Sequence, residues 1–360
     1  MHAVTYADAE TAAAPAPARA VGPWTLAWRR LRRDRVALAS GIVVALVLFA
    51  VIAGGPIAEK VLGHGPNDQF PYAVDELMPV GPWTHVPDTF LLGTGPATDG
   101  GLGLPAPDAG TGTTLFLLGS DGSLGRDEFL RLLYGGRVSL EVAIGATLLA
   151  ILIGTVLGAA AGYVGGLVDA AISRFTDLVM AFPYLLFLVM IGSAVSTPLV
   201  DTTLGGILNK GVLQLVLLIG AFTWFYPARI VRSRVMSLRG SEFVEAAAMT
   251  GARDTRIVRT HLLPHVVPPL VVYATLAIAT NVMIEIGVTF LGAGVRLPTA
   301  SWGSMLSQTW GSLLDPSPSN PATTMPLLTL IPSLAIFVTV FAFNQFGEGL
   351  REALDPRSSR

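Results

Sequence analysis

The sequence predicts an all-α membrane protein with six transmembrane helices, and its composition is the first reason. Charged residues make up 13% of the 360 residues and hydrophobic residues 52%, with a mean hydropathy of +0.60. Soluble domains carry about 25% charged residues. Because this chain has too few charges to cover a globular surface, lipid is the expected solvent for much of it.

Six apolar windows are the second reason, since a membrane-spanning helix needs about 20 mostly apolar residues. Pro183 lies in the third window and Pro332 in the sixth, and each predicts a kink. The windows cover residues 36–54, 138–161, 177–197, 212–228, 266–292 and 326–346. The predicted organisation is a tail at 1–35, a first transmembrane helix at 36–54, a long irregular loop at 55–137, a transmembrane core at 138–347 and a tail at 348–360.

Basic residues predict the orientation of these helices. If both termini are cytoplasmic, the cytoplasmic segments hold seventeen of the 23 lysines and arginines, and the opposite side holds six. This asymmetry favours cytoplasmic N- and C-termini and an extracytoplasmic 55–137 loop. A cleaved signal peptide at 36–54 is the alternative, but the preceding tail and the apolar run are both long for one.

Several function classes lack their sequence signals. The absence of cysteine excludes thiolate catalysis, and a net charge of −2 gives no basic field for nucleic acid. A membrane enzyme would need a paired nucleophile and base, and neither Gly-x-Ser-x-Gly nor His-Glu-x-x-His occurs. His261 and His265 are four residues apart, but Pro264 separates them and no glutamate completes a zinc motif, so no metal site is predicted. A secondary transporter would show two repeated halves, whereas one charged loop dominates here.

The stretch before the second window predicts a short interfacial helix. It reads "GRDEFLRLLYGGRVSLEVAI", and Phe129, Leu132 and Leu133 fall at helical spacing within it. The following residues, up to about 166, are rich in glycine and alanine. Small residues allow close approach of helices in lipid, so this part of the second span is expected to pack tightly against a neighbour.

Three polar residues lie in apolar windows, where such residues are costly and often functional. Asn281 and Glu285 are four apart on one face of the fifth window, and Asp177 begins the third. One interpretation places them toward a pore or a partner helix. The other makes them structural hydrogen-bonding groups inside the bundle, and the sequence does not decide between the two.

A charged segment at 241–264 separates the fourth and fifth windows. Ser241 is a predicted N-cap, the acidic residues of the segment fall in its first turns and the arginines come late, which suits a helix dipole. Gly251 is expected to bend or break the helix after about three turns, and the "LLPHVVPP" stretch to reset its direction. On these features alone, the segment fits an ordinary positively charged loop helix.

The spacing within this segment resembles a known motif. In the permeases of ABC importers, the EAA loop reads EAA-x3-G-x9-I-x-LP; here His261 stands at the isoleucine position, which resembles the peptide-importer branch. The residues that match the motif are Glu245, Ala246, Ala247, Gly251, Leu263 and Pro264.

Three further blocks extend the resemblance over roughly residues 116–347, specifically to dipeptide and oligopeptide permeases of the OppC and DppC type. "RFTDLVMAFP" (Arg174–Pro183) is similar to their third-span block, and "EIGVTFLGAGVRLPTASWGSML" (Glu285–Leu306) to a later one. The loop at 55–118 looks longer than is usual in that family. The third block, at the end of that loop, includes Gly125, Arg126, Asp127, Arg131 and Arg137.

The resemblance implies a type I (MetI-like) importer permease in the plasma membrane, the inner membrane of a bacterium, surrounded by lipid. Such a chain is half of a pore and pairs with a homologous permease as a heterodimer. Two cytoplasmic ABC ATPases drive it, and an extracytoplasmic binding protein delivers the solute. The EAA helix docks on an ATPase, with Glu245 offering a charge, the two alanines allowing close approach and Gly251 setting the bend.

The lysines agree with ATP binding on other subunits. A phosphate-binding loop needs lysine after glycine, but Lys60 follows Glu59 and Lys210 follows Asn209. No cofactor is therefore expected in this chain, and ATP and magnesium are assigned to the partner ATPases. Peptides are the predicted solute; nickel, glutathione, antibiotics and oligosaccharides are alternatives within the same architecture.

Overall fold

A computed structural model describes residues 23–70, 73–75, 78–87, 113–194, 208–209, 211–313 and 326–355. Parts of the predicted tails, the end of the third window and all of 88–112 lie outside these residues. The helices of the described chain are α1 (Pro23–Leu31), α2 (Arg35–Phe49), α3 (Gly55–Leu62), α4 (Glu128–Val164), α5 (Gly166–Met180), α6 (Tyr184–Ala194), α7 (Val212–Thr223), α8 (Phe225–Leu238), α9 (Glu242–Met249), α10 (Asp254–Arg256), α11 (Leu263–Phe290), α12 (Trp302–Leu313) and α13 (Leu327–Leu354).

Six predicted spans correspond to six helical units. Four stretches are long and apolar enough to cross a membrane, and two bent pairs complete the six if each pair is one span. The pair α5–α6 bends by 83° and the pair α7–α8 by 43°. The single stretches are Arg35–Leu62, Glu128–Val164, Asp254–Phe290 and Leu327–Leu354.

The first span extends beyond its predicted window. Asp34 caps α2, because its Oδ1 accepts hydrogen bonds from Val36 N at 2.9 Å and Ala37 N at 3.1 Å. A π-helical turn, Ala50–Gly54, joins α2 to α3 without a break. Part of the predicted N-terminal tail forms α1, and α13 likewise continues into the predicted C-terminal tail.

The prediction of a short interfacial helix before the second span is wrong, since α4 is one helix of 37 residues that includes both stretches. Its N-cap is Asp127, whose Oδ1 accepts from Leu130 N at 3.0 Å. Gly135 and Gly136 do not interrupt it because they are buried contact points: a Cβ on Gly136 would lie 2.6 Å from the ring of Trp302. Close packing against α12 keeps these glycines helical.

The small-residue part of α4 packs directly on the backbone of α8, as the sequence predicts. A Cβ on Gly154 would lie 2.6 Å from the carbonyl oxygen of Trp224, and one on Gly158 would lie 2.4 Å from that of Ala228. Gly162 approaches α8 in the same way. Every fourth residue of this α4 face is therefore fixed as glycine by backbone contact.

Proline coincides with a helix break at one of two predicted places but not at the other. Pro183 lies between α5 and α6, where the predicted kink is found. The "LLPHVVPP" stretch does not reset direction, and that prediction is wrong: a π-helical turn, Ile257–Leu262, continues directly into α11. Pro264 sits in the first turn of α11 and two further prolines lie inside this helix, which stays continuous because membrane helices tolerate proline.

Helices α4 and α11 form the centre of the bundle. One hydrophobic cluster joins them to α2, α12 and α13, a second joins them to α6 and α7, and a third joins them to α8 and α9. The described part of the loop between α3 and α4 forms two small antiparallel pairs. These are β1 (Val74–Asp75) with β2 (Met78–Pro79), and β3 (Thr84–Pro87) with β4 (Thr113–Phe116).

Candidate coupling segment and transmembrane cavities

Helix α9, which begins the segment at 241–264, has an inner and an outer face. Val244 is buried, and Ala247 packs partly buried against the cluster formed with α8 and α11. Glu245, Ala246 and Met249 are exposed, Met249 to 84%. Ala247 therefore contacts its own chain, and only Glu245 and Ala246 of the Glu-Ala-Ala triplet face outward.

The start of α9 is only partly as predicted. Ser241 occupies the N-cap position with extended backbone. Its hydroxyl makes no cap hydrogen bond and instead donates to the Leu238 carbonyl oxygen at 2.6 Å. Glu245 makes no hydrogen bond or ion pair with any described residue of the chain, so its carboxylate is available to water or a partner.

Gly251 forms the bend after α9 through a left-handed backbone, with φ +82°. The N–H of Ala252 donates to Ala247 O at 3.1 Å, and the N–H of Gly251 donates to Ala248 O at 2.9 Å. This pair of bonds is a Schellman motif, which satisfies the last carbonyls of the helix and favours glycine. A Cβ at Gly251 would meet no atom within 4 Å, so the backbone conformation alone requires glycine.

The second half of the segment is tied to the bundle. Tyr163, near the end of α4, donates a hydrogen bond to Asp254 Oδ1 at 2.7 Å. Leu263 packs partly buried in the α8–α9–α11 cluster, whereas Pro264 is exposed. The predicted EAA residues thus lie on one continuous segment, and its downstream part is packed on the membrane helices.

Asp177 lies on α5, where it borders a cavity of about 440 Å³ between α4, α5 and α8. Its Oδ1 accepts a hydrogen bond from Arg229 at 2.6 Å, and both side chains are about half exposed. One helical turn further along α8, Arg232 forms two hydrogen bonds with Asp169. Two ion pairs therefore join α5 to α8, and Asp177 belongs to one of them.

Asn281 and Glu285 are both buried on α11, and Asn281 links this helix to α4. Asn281 Nδ2 donates to Thr147 Oγ1 on α4 at 2.8 Å. Glu285 is 0% exposed, and its Oε1 accepts from Thr289 at 2.8 Å. Asn281 borders a second cavity, whereas Glu285 borders neither that cavity nor the one beside Asp177.

That second cavity, of about 290 Å³, lies between α6, α7, α8 and α11. Its described lining residues are either polar and uncharged or apolar, and none of them is charged. We call it the tyrosine cavity, after three of its six polar lining residues, which are Tyr184, Thr223, Tyr226, Tyr273, Thr280 and Asn281.

The block at the end of the α3–α4 loop is mostly interior. Arg126 and Arg131, 2% and 0% exposed, both pair with Asp121, at 2.5 and 2.8 Å. Arg126 also donates to Gln308 Oε1 on α12 at 2.7 Å, and Arg131 to Asn67 Oδ1 at 3.2 Å. Asp121 is the shared anion that fastens the loop to α4 and α12.

The other block residues also have structural partners. Gly125 has φ +61°, and a Cβ on it would lie 2.3 Å from the carbonyl oxygen of Phe70. Burial raises the pKa of the Asp127 carboxyl, opposed by its helix-capping hydrogen bond and by nearby His64. Arg137 pairs with Glu141 at 2.8 Å, one turn along α4.

Comparisons with known proteins assign the chain to a family. A profile described as "Binding-protein-dependent transport system inner membrane component" matches residues 154–360, more than half of the chain. The chain belongs to this family. A profile described as "N-terminal TM domain of oligopeptide transport permease C" matches residues 22–79 of the permease. The predicted all-α membrane permease is confirmed by these matches and by the helical architecture.

The names of the permease's relatives specify different solutes. It is 31% identical to the oligopeptide transport system permease protein OppC of Haemophilus influenzae, over 93% of this chain and 88% of that protein. It is 31% identical to the glutathione transport system permease protein GsiD of Pectobacterium atrosepticum, over 93% and 91%. It is 38% identical to the nickel transport system permease protein NikC of Escherichia coli, over 66% and 78%. An inward-facing MetNI methionine ABC transporter structure aligns with 61% of this chain and 95% of its own, at 20% identity and a TM-score of 0.41.

Sequence reasoning did not identify three features of the permease. Asp121 was not singled out, although two buried arginines depend on it. Tyr163 was not linked to the coupling segment, because 91 residues separate it from Asp254. The tyrosine cavity draws on four helices, and no local pattern in the sequence indicates it.

Proposed function

We propose that this permease is half of the pore of an ATP-driven importer for dipeptides or oligopeptides. The observation that carries the proposal is the outer face of α9, where the Glu245 carboxylate and the exposed Met249 have no partner among the described residues. A helix fixed to the bundle on one face and open on the other suits docking to a separate subunit. The resemblance to the EAA loop indicates that this subunit is an ABC ATPase.

The proposed assembly contains this chain, a homologous permease, two cytoplasmic ATPases and an extracytoplasmic binding protein. ATP and magnesium bind on the ATPases, since neither lysine of this chain follows a glycine as a phosphate-binding loop requires. The family description names dependence on a binding protein, which supports that partner. The charge asymmetry supports an inner-membrane location with both termini and α9 in the cytoplasm.

Coupling in this assembly proceeds through packed elements. When the ATPases close, they carry α9 with them. Val244 packs against α8, and the Tyr163–Asp254 hydrogen bond ties the segment to α4. Because α8 lies on the glycine face of α4, movement of α9 displaces α8, α11 and α4 together.

Co-purification and reconstitution test the proposal. The permease expressed with its genomic neighbours is expected to purify with a second permease and two ATPases. In proteoliposomes this complex and its binding protein should accumulate labelled peptide only when ATP is present on the ATPase side. Transport by the isolated chain, without other subunits, would show that the proposal is wrong.

A non-peptide solute on the same architecture is the second candidate, and the 38% identity to a nickel permease over 239 residues favours testing it. Mass spectrometry of the ligand that co-purifies with the binding protein separates the two. Bound peptides support the first proposal, whereas bound nickel or glutathione supports the second.

A further inference from the structure

The tyrosine cavity lies where both broken helix pairs have their breaks. Tyr184 is the first residue of α6, directly after the 83° bend, and Thr223 ends α7 at the 43° bend. The third wall is the central part of α11, from Tyr273 to Ile284. In membrane transporters, broken helices near the middle of the bilayer border solute sites, because irregular backbone is tolerated only beside protein or a water-filled cavity.

Its polar groups are available to a solute. The hydroxyls of Tyr184, Tyr226 and Tyr273 make no hydrogen bond with a described residue. Tyr184 and Tyr226 are also 37% and 47% exposed, so the cavity is open to a neighbouring space. A tyrosine presents an aromatic face for apolar groups together with a hydroxyl that donates and accepts, which suits a solute that mixes amides and hydrocarbon.

The charged side chains of the described residues lie outside the lining of the tyrosine cavity. The ion pair Asp177–Arg229, which joins α5 to α8, borders the other cavity. A divalent metal ion would need carboxylate or imidazole ligands, and the described walls of the tyrosine cavity offer neither. A neutral wall also lets side chains of either charge pass without being held.

We propose that the tyrosine cavity is the solute-contacting wall of this half of the pore, and that it accepts amide-bearing solutes without selecting their net charge. The inference rests on the proposed function and deepens it, because it names peptides rather than metal ions as the class that the wall fits. Thr280 is the best position for a test. It is exposed, and its hydroxyl bonds only to the Leu276 carbonyl oxygen of its own helix, at 3.2 Å.

The test introduces charge into the wall. The assembled importer, with saturating binding protein, is assayed with labelled Ala-Ala-Ala, Ala-Asp-Ala and Ala-Lys-Ala and with nickel chloride. Thr280→Asp is expected to lower the ratio of Ala-Asp-Ala to Ala-Lys-Ala uptake about tenfold, and Thr280→Lys to raise it about tenfold, since unit charges interact strongly at reduced dielectric. Ser237→Asp and Ser237→Lys are the matched controls, because Ser237 is exposed on α8 and lies outside the cavity, and they should leave the ratio unchanged.

A second set removes hydroxyls while keeping shape. Tyr226→Phe and Tyr273→Phe are each expected to reduce Ala-Ala-Ala uptake about fivefold at an unchanged ATPase rate, because each loses one hydrogen bond to the solute. The inference is overturned if both charged variants keep the wild-type ratio or if both phenylalanine variants transport normally. A wild type that assembles yet carries none of these peptides refutes the proposed function instead.

Discussion

Glu245 is the residue on which the docking interpretation depends. Its carboxylate lies in the first turns of α9, exposed and without a described partner. We expect Glu245→Lys to leave the permease in the membrane and to abolish most solute uptake, because a positive charge replaces the group offered to the ATPase. Uptake and ATP hydrolysis by the reconstituted complex measure this effect.

Glu348→Lys is the matched control for that substitution. Glu348 is also an exposed helical glutamate, and its pairing with Arg351 at 3.7 Å contributes little at the surface. Its variant should transport as the wild type does. Equal activity of both variants would remove Glu245 from the coupling interface.

Gly251 tests the bend separately from the charge. Its φ of +82° costs a residue with a Cβ about 1–2 kcal/mol, and asparagine tolerates this conformation better than most. We expect Gly251→Asp to uncouple ATP hydrolysis from uptake and Gly251→Asn to do so less, since aspartate also places a negative charge beyond the negative end of α9. Normal uptake by both variants would contradict a role for the bend.

Asp121 pairs with Arg131 near the N-terminal end of α4, away from the coupling segment. Asp121→Ala leaves the buried guanidinium groups of Arg126 and Arg131 without their shared anion. We expect a loss of about 3–5 kcal/mol, seen as a lower thermal unfolding midpoint in detergent. Asp177→Ala breaks a half-exposed pair and should cost about 1 kcal/mol or less. Similar midpoints for the two variants would show that the buried network is not stabilising.

At the scale of elements, the contact between α4 and α8 tolerates no side chain. Gly158→Ala would place a Cβ 2.4 Å from the carbonyl oxygen of Ala228, a backbone atom that can yield only if the helices separate. We expect a cost of about 1–3 kcal/mol and a loss of assembled complex. Gly240→Ala is the control, because a Cβ at Gly240 meets no atom within 4 Å. Unchanged assembly of the Gly158 variant would mean that the interface is looser than described.

The elements that sequence predicted best are those determined by local patterns. Apolar length predicted six spans, glycine density predicted the α4 contact, and the position of Gly251 predicted a bend. The prediction of a short interfacial helix was wrong because the helix continues through Gly135 and Gly136, which pack against α12. The Asp121 network joins residues up to about 180 positions apart through Gln308, and no local periodicity reports such a contact.

At the scale of the whole molecule, removing one hydrogen bond tests whether movement of the coupling segment is transmitted to α4. Tyr163→Phe removes only the donor to Asp254, a net loss of about 1 kcal/mol. We expect more ATP to be hydrolysed per solute imported, because the segment moves with less effect on α4. Tyr134→Phe is the control, since Tyr134 makes the same kind of bond, to Glu59, near the other end of α4. An equal rise in both variants would indicate a general loss of helix packing.

Helix α4 is held at both ends, by Asp121 through Arg131 at one and by Asp254 through Tyr163 at the other. Its 37 residues make a rod about 55 Å long at 1.5 Å per residue. In the proposed importer such a rod would couple the binding protein at one end to the ATPases at the other, and this coupling acts in both directions because linkage between two binding sites is reciprocal. A solute-loaded binding protein bound to the loop at one end of α4 would therefore change the affinity of the ATPases for nucleotide at the other end.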